Sequence, residues 1–158
     1  MTRDTFPGPG DIAPRFSLPA SGGRTVSSAA QAGRPYVLYF YPRANTAGCT
    51  TEAGEFNALL AGFRARGVEV IGASPDAMKP IEAFAKKLGL GFPLASDPDH
   101  AVAEAYGVWV EKSLYGRKSM GIVRSTFLVG ADGRIARAWR KVRVAGHAAE
   151  VLEAAGAL

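Results

Sequence analysis

The amino-acid sequence predicts an α/β domain, with a mixed central sheet flanked by helices and an N-terminal β-hairpin ahead of it. Three observations point there. Residues 35–41 form a continuous apolar and aromatic run, as expected of a strand covered on both faces. Two segments with apolar residues at helical spacing follow, each closed by a glycine and separated by a second apolar run. Late in the chain, residues 125–129 and 135–139 flank Ala131-Asp132-Gly133, a strong hairpin signal. The early alternation implies parallel strands joined by crossover helices, and the late hairpin implies antiparallel edge strands.

In chain order, residues 11–18 read as an extended entry segment, Ser21-Gly22-Gly23 as a turn and Arg24-Thr25-Val26 as a short partner strand. Residues 27–32 are predicted to form a short helix ending at Gly33. After the 35–41 strand, residues 50–66 set Ala53, Phe56, Leu59, Leu60 and Phe63 on one helical face, with Gly67 as the stop. Residues 68–73 read as a second buried strand. Residues 80–88 read as a helix with Ile81, Phe84, Ala85 and Leu88 on one face, closed by Gly89. Asp97-Pro98-Asp99 opens a short helix through Tyr106, and residues 146–155 form a final amphipathic helix. The arrangement resembles the thioredoxin fold with extra elements. No repeat, low-complexity segment or linker interrupts it, and 158 residues suit one domain, 1–158, with its own core.

Composition excludes several classes. Hydrophobic residues make up 47% and charged residues 21%, an ordinary globular balance. The net charge of +5 comes from basic residues spread along the chain, with only residues 134–143 forming a modest cluster, so a solvated surface is expected rather than nucleic-acid binding. Residues 1–10 are polar and lack the apolar stretch of a signal peptide, and no run has the length to cross a membrane, so a cytoplasmic location is expected. One cysteine cannot form an intrachain disulfide or a multi-thiolate zinc site. His100 and His147 lack metal-ligand spacing, and both are expected at the surface. No cofactor or metal is expected.

The most informative stretch surrounds that cysteine. The strand run ends at Pro42, a turn of small residues follows, and Cys49 stands where the helical pattern begins. The first turn of a helix has unpaired N–H groups and a partial positive charge, which stabilise a thiolate, the reactive form of cysteine.

Pro42-x-x-x-Thr46-x-x-Cys49 resembles the active-site signature of the peroxiredoxins, thiol peroxidases on a thioredoxin-like fold. Two downstream stretches, 106–113 and 121–129, also resemble the peroxiredoxin Q group, called the bacterioferritin comigratory protein group as well. The likeness runs from about Gly10 to the C-terminus. Two departures stand out. Ala47 occupies a position where the group usually has proline, and Gly54 stands where many members carry a second cysteine.

The resemblance implies reduction of hydrogen peroxide and organic hydroperoxides through a sulfenic acid at Cys49. With no other cysteine, the resolving thiol must come from outside: thioredoxin, glutaredoxin or glutathione. A monomer or weak homodimer is expected. A free thiol of pKa ~8.5 is only about 3% thiolate at pH 7. Shifting such a group to ~6 takes about 3.4 kcal/mol. A helix terminus contributes ~0.3–2 kcal/mol, so a further charge is needed. One guanidinium at ~4 Å contributes about 4 kcal/mol before desolvation costs. The resemblance assigns that role to Arg124, and Arg43, beside Pro42, is its rival. It also implies that Thr46 engages the peroxide, that Pro42 shields the sulfur and that Glu52 orients the arginine. Thr46 is expected to donate its hydroxyl hydrogen to the thiolate as well. Trp109 and Tyr41 could wall the pocket, but the core is the expected place for both. A dithiol exchanger would need cysteine where Thr46 stands. A non-catalytic binding domain would not need Pro42, Thr46, Cys49 and Arg124 together.

Overall fold

The computed structural model describes residues 6–158, so the first half of the polar N-terminal segment read above lies outside the described residues. The predicted N-terminal hairpin is present: β1 (Ser17–Ala20) pairs antiparallel with β2 (Arg24–Ser27) around a one-turn 3-10 helix. Only a 3-10 turn, Ala29–Gln31, forms where a short helix is predicted over 27–32.

β3 (Tyr36–Phe40) is buried at every position, as its unbroken apolar run requires. It pairs in parallel with β4 (Glu69–Ser74), which pairs in parallel with β5 (Leu94–Ser96). The crossovers are α1 (Ala47–Ala58) with α2 (Leu60–Ala65), and α3 (Met78–Leu88). The single helix predicted over 50–66 is thus two. The chain turns at Leu59, next to Asn57, whose side chain accepts from Gly91 N–H at 2.8 Å and ties this corner to the loop after α3. The helix also starts three residues earlier than predicted, which makes Cys49 its third residue.

α4 (Ala101–Ala105) leads into β6 (Trp109–Leu114) and β7 (Arg117–Ile122), a separate two-stranded hairpin. Neither that hairpin nor β5 is marked as strand by its own residues. β8 (Ser125–Val129) returns antiparallel beside β3 and is paired with β9 (Ile135–Arg140), so of the late hairpin's two strands β9 alone is at an edge, and β8 is not the edge strand expected. α5 (His147–Gly156) closes the chain. The sheet order is β2-β1-β5-β4-β3-β8-β9, a mixed sheet of the thioredoxin-like class. One buried cluster, under α1, α2, α3 and α5, includes Val37, Tyr39, Phe56, Phe63, Phe84, Leu128 and Val151. The other, toward α4 and the N-terminal hairpin, includes Phe16, Leu38, Phe40, Tyr106 and Phe127. No helix is long and apolar enough to cross a membrane.

Candidate active site

Cys49 lies at the carboxyl end of β3, in the first turn of α1, and is 1% exposed. Thr46 is the residue before the helix. The first bond that closes the helix is Thr50 N–H to the Thr46 carbonyl, at 2.9 Å, so the N–H groups of Gly48 and Cys49 precede the intrahelical ladder. The loop ahead of them is held by Asp76: its Oδ2 accepts from Ala44 N–H and from the Ser74 hydroxyl, both at 2.7 Å. Asn45 adopts φ 70° there, a conformation asparagine tolerates better than most residues.

Arg124 reaches the sulfur from the start of β8, the strand beside β3. It precedes β8, and strand alternation puts it on the same face as Thr126 and Leu128, the face covered by α1. Its Nη2 donates to Cys49 Sγ at 3.4 Å, and its Nη1 to Glu52 Oε1 at 2.6 Å. Gly48 makes room: a Cβ there would stand 3.2 Å from Arg124 Nη2. Burial works against the charge of Arg124, but Glu52 and Cys49 outweigh it and hold the guanidinium protonated more firmly than usual. Arg43, the rival, is exposed, and it is the Arg43 backbone carbonyl that enters the loop.

Glu52 is 1% exposed. Burial pushes its carboxyl up to about 7, against the opposing pull of Arg124. Its second oxygen, Oε2, is buried with no partner among the described residues, as is the hydroxyl of Tyr39. The Thr46 hydroxyl donates to the Arg43 carbonyl at 3.0 Å, not to the sulfur as expected, which leaves its lone pairs open to accept. Pro42 ends β3 half-buried. Gly54 is exposed, with nothing within 4 Å of a Cβ built on it, so no packing demands glycine there. Tyr41 is buried beside Phe84, and Trp109 stacks on His100 at 4.1 Å.

The structure thus brings Cys49, Glu52 and Arg124 into one contact group, with Thr46 and Pro42 on the loop beside it. The surface position expected of His147 is wrong. His147 is buried, its Nε2 lies 2.8 Å from Thr126 Oγ1, and its ring meets Phe56 and Trp139 edge-on. Burial lowers it to about 4. The sequence signal available was its place at the start of an amphipathic helix, where a side chain on the apolar side is covered. Gly48 and Asp76 also escaped the sequence reading, because their value depends on contacts with Arg124 and the 42–46 loop. A concavity lined by Pro35, Arg66, Ile135 and Leu158 lies at the opposite end of the sheet, so cavity alone does not mark this site.

The AhpC/TSA family model matches residues 9–138. The chain is 48% identical to peroxiredoxin Bcp of Xanthomonas campestris over 141 residues, 88% of each chain. It is 42% identical to peroxiredoxin Bcp of Bacillus subtilis over 144 residues, 91% of this chain and 92% of the relative. Among solved structures, Xanthomonas campestris peroxiredoxin Q superposes with a TM-score of 0.86 at 47% identity, covering 90% of each chain. A cysteine-to-serine mutant of Xylella fastidiosa PrxQ gives 0.88 at 38% identity, covering 99% of this chain and 98% of that one. Another Xanthomonas structure concerns alkyl peroxide reduction by its bacterioferritin comigratory protein. The chain belongs to the AhpC/TSA family, and its relatives are peroxiredoxins.

Proposed function

We propose that this peroxiredoxin reduces hydrogen peroxide and organic hydroperoxides at Cys49 and is returned to the thiol by an external reductant, in the service of antioxidant defence. The observation that carries the reading is the Arg124 guanidinium, bonded at once to Cys49 Sγ and Glu52 Oε1. A positive charge at hydrogen-bond distance lowers the energy of a negative charge on the sulfur. The N–H groups of the helix first turn act in the same direction.

The thiolate attacks one peroxide oxygen. The S–O bond forms as the O–O bond breaks, and the departing oxygen leaves as hydroxide or alkoxide and takes up a proton. Cys49 is oxidised to sulfenic acid and the peroxide is reduced. Charge builds on the departing oxygen, where Arg124 and the Cys49 N–H are its donors. The Thr46 hydroxyl, with its hydrogen directed to Arg43, accepts from the peroxide O–H. Pro42 shapes the loop and keeps water from the sulfur. Glu52 holds the guanidinium in line.

No second cysteine exists to form an internal disulfide. An external thiol, from thioredoxin, glutaredoxin or glutathione, condenses with the sulfenic acid and releases water. A second thiol then frees Cys49. The alkyl peroxide reduction described for the Xanthomonas relative supports organic hydroperoxides as substrates. The need for a supply of reduced thiol fits the cytoplasm. The protein acts as a monomer or weak homodimer, without nucleic acid or membrane.

Peroxide added in stoichiometric amount without reductant should add one oxygen to the intact mass, and excess should add a second as sulfinic acid. Cys49→Ser should show neither and should lose peroxidase turnover while remaining folded. Turnover by folded Cys49→Ser protein would end this reading.

A further inference from the structure

The basic residues are spread along the chain, but the acids are scarce in its later part. Residues 106–146 carry nine of the 19 Lys and Arg but only two of the 14 acids, Glu111 and Asp132. The fold brings six of these cations to the Cys49 end of the sheet. Lys112, Arg117 and Lys118 are exposed on the β6–β7 hairpin, and Arg140, Lys141 and Arg143 are exposed after β9. Both segments are rooted at Arg124: Ile122, the last residue of β7, stands two positions before it, and Val142 N–H donates to its carbonyl at 2.9 Å.

The hairpin is a two-stranded sheet of its own, and its three cations form no ion pair among the described residues. Tyr115, 94% accessible, stands at the turn between Lys112 and Arg117, and Met120, 50% accessible, lies two positions past Lys118 on the same face of the hairpin. Exposed apolar side chains on the same hairpin as unpaired charges, on a segment that leads directly into Arg124, mark a face for another macromolecule rather than a plain solvated surface.

We propose that the β6–β7 hairpin and residues 140–143 form the docking face for an acidic protein dithiol that reduces oxidised Cys49. This rests on the reading that the resolving thiol comes from outside the chain. The charges span two segments, one of which also exposes apolar side chains, which is more surface than a small anionic thiol can engage. A nucleic acid would match the charge but brings no thiol to the sulfenic acid. In the docked complex one partner thiol attacks Cys49, forming an S–S bond and releasing the sulfenic oxygen as water. The partner's second thiol then breaks that bond, so Cys49 leaves as thiol and the partner as disulfide. Complementary charge would act on the encounter rate, where steering contributes 10–10³-fold and fades with salt.

The test separates the two half-reactions by stopped flow, with an acidic thioredoxin as the protein reductant and dithiothreitol as a neutral small dithiol. In the Lys112→Glu/Arg117→Glu/Lys118→Glu variant, oxidation by peroxide should stay within about twofold of the parent, which also reports an intact fold. Reduction by thioredoxin should fall at least tenfold at low ionic strength, with the gap closing as salt rises, while dithiothreitol reduces both proteins equally. Lys141→Glu/Arg143→Glu provides the same readout from the second segment, independent of the hairpin. Equal thioredoxin rates in parent and both variants at low salt would overturn the docking face. Duplex DNA retained by the parent but not by the variants, with thioredoxin rates equal, would assign the face to nucleic acid and overturn it too. Oxidised parent protein that neither reductant restores would instead overturn external resolution itself.

Discussion

The two faces of the central sheet are built from alternate residues of the same strands, yet they differ in how their buried polar groups are partnered. Along β3, Tyr36, Leu38 and Phe40 enter one core and Val37 and Tyr39 the other. The first core is lined by apolar side chains, and polar groups buried beside it find partners: the Tyr106 hydroxyl donates to the Pro14 carbonyl at 2.7 Å, and Asp97 accepts from Val102 and Ala103 N–H. The second buries Cys49, Glu52, Thr126 and His147 among Phe56, Leu128 and Val151, and leaves Tyr39 Oη and Glu52 Oε2 without partners among the described residues. Buried polar groups lacking partners cost stability, roughly 1–3 kcal/mol each. Three of the four such atoms among the described residues, Tyr39 Oη, Tyr41 Oη and Glu52 Oε2, are on the face that holds the thiol. Gly72 shows how closely the site face is packed: a Cβ on it would come within 2.8 Å of the Tyr39 ring.

Substitutions can break this contrast. Phe127→Ala on the apolar face should cost about 3–5 kcal/mol in denaturant unfolding, since the ring is fully buried against Phe40 and Tyr106. The peroxide rate of the molecules that remain folded should hardly change, and a large loss would mean that the two faces are coupled.

Arg124→Ala should do the reverse on the site face. We expect the second-order rate with peroxide to fall about 10²–10³-fold as one charged donor is lost. Should Arg43→Ala have the larger effect, the charge that serves the sulfur is not the one that touches it.

Thr46→Val should slow peroxide reduction about tenfold with little change in unfolding, because its hydroxyl is exposed and bonds only the Arg43 carbonyl. An unchanged rate would reduce Thr46 to a turn residue.

A further effect concerns pH and is read in stability rather than rate. Glu52, pushed up to about 7 from 4.5, holds a proton in the folded state that the unfolded chain has released, so its contribution to stability falls as pH rises from about 4.5 to 7. His147, lowered to about 4 from 6.5, refuses a proton that the unfolded chain binds, so stability falls as pH drops from about 6.5 to 4. The two slopes oppose each other in the parent protein. His147→Asn removes the second, so stability should then rise by up to about 3 kcal/mol on acidification from pH 7 to 4.5. Urea midpoints across that range would show it, and a falling profile would contradict the opposed pair.

Local energetics made much of this molecule legible in its sequence. The run that becomes β3 could be read because all five residues are buried, so no polar position interrupts it. Gly89 announced the end of α3 because it takes the left-handed conformation there, φ 61°. Cys49 could be placed at a helix start because the strand, the turn and the helical pattern are consecutive in the chain. The family motif added Arg124 and Glu52 as expectations that no local pattern supplied.

Only the tertiary structure decided the rest, and the reason is distance along the chain. The guanidinium of Arg124 meets a sulfur 75 residues earlier because β8 takes its register beside β3, with Phe40 opposite Ser125. β5, three residues long, exists because β4 and β1 offer it ladder partners. The β6–β7 hairpin has mostly exposed strands and therefore no alternating apolar signal. His147 is buried because α5 docks it onto Thr126 and Phe56. Short-range propensity and periodicity set where strands and helices begin and end; strand register and helix docking, which depend on the whole fold, set which side chains meet.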